Sequence, residues 1–162
     1  MTDFKRLQND RNNLVTPVTG PALALDLGQK LVGVALSDER LISARRLDPL
    51  RRSNWKQLLR DVQGLLQRYD AQTLVIGLPL SLDGTRGSAA VAVERLAQNF
   101  TRSLKIPVYL QDERLTSFAA KQSLMAEGFS AEEIPALIDG EAAATILRDF
   151  LSNLDGRVPV FP

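Results

Sequence analysis

Three acidic residues stand where apolar segments of the sequence begin or end. Asp26 follows the apolar residues 22–25, Glu113 closely follows the apolar residues 107–110, and Asp139 precedes the alanines at 142–144. A carboxylate beside buried chain is costly unless it is paired, hydrogen-bonded or bound to a metal. Carboxylates gathered at one place can hold two divalent cations, one activating water and the other stabilising a leaving oxygen. We therefore predict metal-dependent hydrolysis, with these acids as catalytic and metal-binding residues.

Each acid also has a simpler explanation. Asp26 could hydrogen-bond the turn that follows its strand. Asp139 could open a helix, where the helix dipole favours an acid, and Glu113 could form an exposed pair with Arg114. Because side chains alternate along a strand, Asp112 is an alternative to Glu113 as the inward-facing residue.

The absence of two residue types narrows the chemistry. The chain of 162 residues contains no cysteine and no histidine, which excludes thiol nucleophiles, thiolate zinc sites and Ser-His-Asp triads. A metal would be held mainly by oxygen ligands, which favours Mg²⁺ or Mn²⁺. A two-metal site is the expectation.

Charge is unevenly distributed although the net charge is only +1. The charged residues within 40–60 are all basic apart from one acid. Those within 127–149 are all acidic apart from one arginine. A basic flank beside acids that hold cations suits a polyanion such as nucleic acid. The alternative is two solvated surfaces of opposite sign.

Apolar runs predict five strands. They cover residues 22–26, 31–37, 41–47, 73–78 and 107–110. The short connection between the first two predicts an antiparallel hairpin, and Pro49 is expected to end pairing of the third. Helices between the later strands favour parallel pairing, so we expect an α/β fold with a mixed five-stranded sheet and helices on both faces.

Helical spacing of apolar residues predicts the remaining elements. Ser53 is the expected N-cap of the first helix, Thr116 that of a later one, and Asp139 the start of the last. The alanines at 142–144 would let the last helix lie close to the sheet and bring Asp139 toward Asp26. Glu141 is expected to point elsewhere, into solvent.

Four segments in order resemble the YqgF family, the Holliday-junction-resolvase-like proteins also described as candidate pre-16S rRNA nucleases. The segments are Leu25-Asp26-Leu27-Gly28 with Gly33-Val34-Ala35-Leu36-Ser37-Asp38, Gly77-Leu78-Pro79-Leu80 with Asp83-Gly84, Asp112-Glu113-Arg114-Leu115-Thr116-Ser117, and Ile138-Asp139 with Ala142-Ala143. The resemblance covers about residues 22–151. The chain departs from the pattern at Leu31, where many members carry arginine.

The resemblance implies an RNase H-like fold, with Asp26, Glu113 and Asp139 as the metal-binding acids. It implies trimming of pre-16S rRNA ends, with branched DNA as a second substrate. Candidate substrate contacts are Lys30, Arg86, Arg114 and Thr116; the last two adjoin Glu113 and a helix N-terminus, which suits phosphate. Arg86 lies in the loop 79–87, which could contact the substrate or could be an ordinary connection between elements.

We divide the chain into a flexible extension at 1–20, a nuclease domain at 21–155 and an irregular tail at 156–162. The expected partner is nucleic acid, RNA before branched DNA, bound by a monomer or homodimer in the cytoplasm, with no membrane. One alternative is a non-catalytic RNA-binding or ribosome-maturation factor on the same fold. Another is an actin-like kinase, whose first phosphate motif resembles Asp26-Leu27-Gly28, but two domains would need a longer chain.

Overall fold

The computed structural model describes residues 17–114 and 116–162, which form five strands and four helices. In chain order the elements are β1 (Ala22–Leu27), β2 (Leu31–Ser37), β3 (Ala44–Arg51), α1 (Trp55–Arg68), β4 (Thr73–Leu78), α2 (Ser88–Ser103), β5 (Val108–Asp112), α3 (Thr116–Ala126) and α4 (Ile134–Leu151).

The strands form one mixed sheet in the order β3-β2-β1-β4-β5. β1 pairs antiparallel with β2 and parallel with β4, which in turn pairs parallel with β5. The carboxyl ends of β1, β4 and β5 therefore meet at one edge of the sheet, where open α/β sheets usually bind ligands. The mixed sheet and the hairpin are confirmed.

Alternating side chains divide the core between the two faces of the sheet. Leu23 and Leu25 pack toward α1 and α2, in a cluster that includes Leu58 and Phe100. Ala22 and Ala24 face α4, with buried partners that include Ala143, Ala144, Ile146, Leu147 and Phe150. Helices on both faces are thus confirmed, and the small residues on both sides of the second interface let α4 lie close to the sheet.

The third strand is not where the sequence predicted it. It begins at Ala44 rather than 41 and continues through Pro49 to Arg51. Val34 pairs with Leu47 and Val32 with Leu50, so two residues of β3 stand opposite one of β2. Proline is tolerated there because β3 is an edge strand and the bulge needs no ladder hydrogen bond from it.

Two helix starts also differ from the prediction. Asn54, not Ser53, caps α1, since its Oδ1 accepts a hydrogen bond of 3.0 Å from the Gln57 amide. The last helix begins at Ile134 instead of Asp139, with Pro135 in its first turn. Proline is favoured there because the first amides of a helix have no intrahelical partner. Asp139 therefore lies inside α4.

The first sixteen residues of the expected extension lie outside the described residues. Just after them, the Thr19 carbonyl accepts a 2.6 Å hydrogen bond from Thr73 Oγ1. At the other end, the Val160 amide donates a 2.7 Å bond to the Val108 carbonyl, although 156–162 form no helix or strand. Across the described parts, no helix has the length and apolar character to cross a membrane.

Candidate active site

Asp26 lies at the carboxyl end of β1, on the sheet face that α4 covers. It alternates with the buried Leu25 and shares its side of the strand with Ala22 and Ala24. Its partner across the hairpin is Gly33 of β2. A Cβ on Gly33 would overlap the backbone carbonyl oxygen of Asp139. The missing side chain therefore lets α4 rest directly beside Asp26.

Glu113 follows β5, two strands away from Asp26 in the sheet. Its amide donates a 3.1 Å hydrogen bond to the Leu78 carbonyl, which holds it against the end of β4. Its carboxylate lies over Gly77 of β4. A Cβ on Gly77 would collide with Glu113 Oε2 and with Ile146 Cδ1. Gly77 thus provides the gap through which the carboxylate reaches across β4.

The carboxyl groups of Asp26 and Glu113 lie close enough to interact, and a hydrogen bond between them contributes to the pKa of each. Burial, the Asp26 charge and this hydrogen bond raise the pKa of Glu113 from 4.5 to about 8. Burial also raises the pKa of Asp26; the hydrogen bond to Glu113 opposes this and the Asp139 charge adds to it. Because the pKa of Glu113 is raised to about 8, the pair carries a proton at neutral pH when no cation neutralises it.

Asp139 completes the acidic set only in part. Its negative charge helps to raise the pKa of Asp26. The Asp139 side chain is half-buried on α4. Within the residues the structure describes, however, no three acidic side chains are close enough together to hold a metal ion. Asp26 and Glu113 form the close pair, and Asp139 stands beside it.

The choice between Asp112 and Glu113 is decided by Arg114. Arg114 Nε donates a 2.7 Å hydrogen bond to Asp112 Oδ2, and its amide donates one of 2.9 Å to Oδ1. Hydrogen bonds from Arg114 hold the pKa of Asp112 below its ordinary value. Asp112 is therefore tied to the following loop, and Glu113 faces Asp26.

The candidate substrate contacts are dispersed around this edge. Lys30 is exposed in the β1–β2 turn, and Arg86 forms an ion pair with Glu94 on α2. Thr116 is buried at the start of α3, where its amide donates a 3.0 Å bond to the Glu113 carbonyl. Arg114 is occupied by Asp112, so two of the four side chains already have acidic partners.

The expectation that Glu141 points into solvent is wrong. Its side chain is fully buried and accepts hydrogen bonds from three others: Arg46 (2.7 Å), Arg148 (2.8 Å) and Ser123 (2.8 Å). Burial alone would raise the pKa of Glu141, but these bonds together hold it below its ordinary value. Glu141 thus joins β3, α3 and α4 two residues after Asp139. Helical position alone could not reveal this, because Arg46 and Ser123 come from other segments of the chain.

Arg52 belongs to the basic run at 40–60 and lies at the site, which its place in that run does not indicate. Its amide donates a 2.9 Å hydrogen bond to the Lys30 carbonyl, and its guanidinium contacts the Gly28 carbonyl at 3.5 Å. The signal in the sequence was its position directly after β3, opposite the hairpin turn. Another member of the run, Arg46, pairs with Glu127 and Glu141. The two runs therefore meet at Arg46, while most of their other charged side chains are exposed to solvent.

The chain resembles proteins of several bacteria over most of their length and most of its own. A protein of Anaeromyxobacter sp. (strain Fw109-5) is 40% identical over 135 residues, which are 83% of this chain and 96% of that protein. Proteins of Trichormus variabilis and Synechococcus elongatus are 39% and 37% identical, covering 80% and 82% of this chain and 86% and 89% of their own. All three are named as candidate pre-16S rRNA nucleases.

Solved structures share the fold at low sequence identity. Thermus thermophilus RuvC in complex with a Holliday junction matches with a TM-score of 0.54 at 17% identity, covering 85% of this chain and 98% of that one. The fowlpox virus Holliday junction resolvase matches with a TM-score of 0.51 at 14% identity, covering 82% and 99%. The RNase H-like fold is thereby confirmed.

The family model described as RuvX, Holliday junction resolvase, matches residues 20–153. This span contains Asp26, Glu113 and Asp139 and most of the described fold. The resemblance drawn from the four sequence segments is confirmed, and the chain belongs to the RuvX family of Holliday-junction-resolvase-like proteins, whose relatives above are named for cleavage of pre-16S rRNA.

Proposed function

We propose that this protein is a divalent-metal-dependent nuclease that hydrolyses phosphodiester bonds at the Asp26–Glu113 pair. The observation that carries the proposal is the reach of the Glu113 carboxylate across Gly77 of β4 to Asp26, in a member of a nuclease family. Two half-buried acids brought together against their mutual repulsion form an all-oxygen donor set, which suits Mg²⁺ or Mn²⁺.

Asp26 and Glu113 would hold the metal, with Asp139 as the third acid. Mg²⁺ is commonly bound through one or two carboxylates, with water and substrate phosphate oxygens in the other positions. When bound, such cations supply an activated water and stabilise the leaving oxygen. A two-metal arrangement would require Asp139 to turn toward the pair.

The chain's own residues set the conditions for this chemistry. The proton held by the Asp26–Glu113 pair must leave when a cation binds, so metal affinity rises with pH through the raised pKa of Glu113. Gly33 and Gly77 allow α4 and the Glu113 carboxylate to approach Asp26. Arg52 and Lys30 at the hairpin supply positive charge for the substrate backbone.

The proposed substrate is the end of precursor 16S rRNA, which agrees with the names of the relatives, and the proposed location is the cytoplasm. Branched DNA is the second substrate, which the family description supports. Cutting a four-way junction would need two active sites related by a two-fold axis, and thus a homodimer. Trimming of RNA ends needs only a monomer.

The test is cleavage of end-labelled single-stranded RNA, precursor-rRNA fragments and four-way DNA junctions, with Mg²⁺, Mn²⁺ or EDTA. Asp26→Asn should abolish cleavage without loss of folding. The matched control is Asp70→Asn, at an exposed turn before β4 where the positive φ suits asparagine. Cleavage that survives Asp26→Asn would remove Asp26 from the mechanism. Binding without any cleavage would instead establish a non-catalytic maturation factor.

A further inference from the structure

A pocket of about 360 Å³ adjoins the acidic pair on the opposite side of the sheet edge from α4. Glu113 lines it, together with Leu27, Gly28 and Gln29 of the hairpin and Arg52 after β3. Pro79, which follows β4, and the first half of α2 close the other side. The pocket therefore begins at a residue that we place in the catalytic site.

The α2 wall consists of Ala89, Ala92, Val93 and Leu96. These positions are spaced three and four residues apart, so they form one stripe on the helix. Ala89 and Ala92 are exposed to solvent. Because both are alanines, the space in front of the helix stays open, and a leucine at either position would occupy it.

The chemistry of the lining is mixed in a way that suits a flat heterocycle. Aliphatic side chains supply most of the wall, while the Arg52 guanidinium and the Gln29 amide supply polar groups. Unpaired bases stack on arginine planes or between aromatic or apolar side chains, with hydrogen bonds to their edges. Arg52 contacts the Gly28 carbonyl, which places its charge at the mouth of the pocket.

We propose that this pocket binds one unpaired nucleobase of the substrate strand, beside the phosphate that Asp26 and Glu113 act upon. The proposal rests on the proposed nuclease function and specifies its substrate class. A base in a continuous duplex is held by stacking and pairing and must be extruded before it can enter such a pocket. The preferred substrate is therefore a strand that is unpaired next to the cleavage site, such as a single-stranded end or a nucleotide at a branch.

The test scans an abasic nucleotide through the positions flanking the cleavage site of a short single-stranded RNA, with a matching DNA series. Wild-type protein should show one position at which loss of the base lowers the cleavage rate about tenfold or more. Ala92→Leu, and independently Ala89→Leu, should lower cleavage of the intact strand and bring the ratio of intact to abasic rates near one. The control Ala119→Leu changes an exposed residue of α3, away from the pocket, and should behave as wild type.

A binding measurement separates this proposal from the catalytic one. In Asp26→Asn, 2-aminopurine scanned through the same positions should change its emission on binding at one position, and an added Ala92→Leu should remove that change. If wild-type protein cuts nothing but this signal is present, the nuclease proposal fails and the pocket stands. If cleavage occurs but no position is sensitive to base removal, or Ala92→Leu leaves the sensitivity intact, the pocket proposal is overturned. Comparison of the RNA and DNA series shows whether the protein requires ribose or deoxyribose next to the cleavage site.

Discussion

Gly33 of β2 lies directly against the backbone of Asp139 in α4, so closely that a Cβ on Gly33 would overlap the Asp139 carbonyl oxygen. Gly33 is also the hairpin partner of Asp26. A single missing methyl group thus sets the distance between the helix that carries one acid and the strand that carries another.

Gly33→Ala should destabilise the protein and reduce cleavage, because backbone cannot move aside as a flexible side chain can. Overpacking at a tight contact typically costs about 1–3 kcal/mol. Urea denaturation would measure the loss. The matched control is Gly64→Ala in α1, where a Cβ meets no atom within 4 Å. That change should instead stabilise the helix by about 0.5–1 kcal/mol. Equal effects of the two changes would contradict the close packing of α4.

Gly77→Ala should weaken metal binding more than it weakens the fold. Its Cβ would meet the Glu113 carboxylate and the end of the Ile146 side chain, both of which can shift. Displacement of a metal-binding carboxylate by its neighbours commonly costs about 10–100-fold in affinity. The measurement is the Mg²⁺ concentration for half-maximal cleavage, with Gly64→Ala as control. An unchanged requirement for Mg²⁺ would show that Glu113 does not need the space above Gly77.

The metal-free protein should lose stability as the pH rises from about 4.5 to about 8. The folded state holds the Glu113 proton up to about 8, whereas an unfolded glutamate releases it near 4.5. The folded state therefore binds more protons across this window, and the free energy of unfolding falls with pH. Glu113→Gln should remove this component, and the exposed Glu132→Gln should not. Denaturation in EDTA at several pH values is the measurement.

Mg²⁺ or Mn²⁺ should reverse that trend, since a cation binds the deprotonated carboxylates of the folded protein and stabilises it by mass action. The rise in melting temperature on adding metal should increase with pH and disappear in Asp26→Asn. A rise that is independent of pH, or that survives in the variant, would place the cation at another site.

Glu141→Gln should destabilise the fold by about 2 kcal/mol at neutral pH, because it removes the charge that three donors surround. The folded-state pKa of Glu141 lies below its ordinary value. Its contribution is therefore present above the ordinary glutamate pKa and is lost as the pH falls through the lowered value. Wild type and variant should converge in acid. Glu127→Gln, at the 42% exposed partner of Arg46, should have little effect. A persistent difference in acid would contradict the ionic role of Glu141.

Local sequence determined most of the elements of this protein. Continuous apolar runs were sufficient to predict β1, β2 and β4, because strands covered on both faces of a sheet carry few polar residues. The strand β3 shows the limit of prediction from apolar runs, because it covers Ala44–Arg51 and not 41–47. Whether Pro49 ends a strand depends on whether the strand has a neighbour on both sides, which only the sheet order decides.

The sequence indicates the candidate acids through their residue types, their positions beside apolar segments and the family resemblance. Their arrangement was decided by tertiary contacts. Glu113 rather than Asp112 faces Asp26 because Arg114 draws Asp112 away and Gly77 leaves room for Glu113. Glu141 is buried because arginines from β3 and from its own helix neutralise it. A charge's cost of burial depends on partners that the fold supplies from distant segments, so no local pattern reports it.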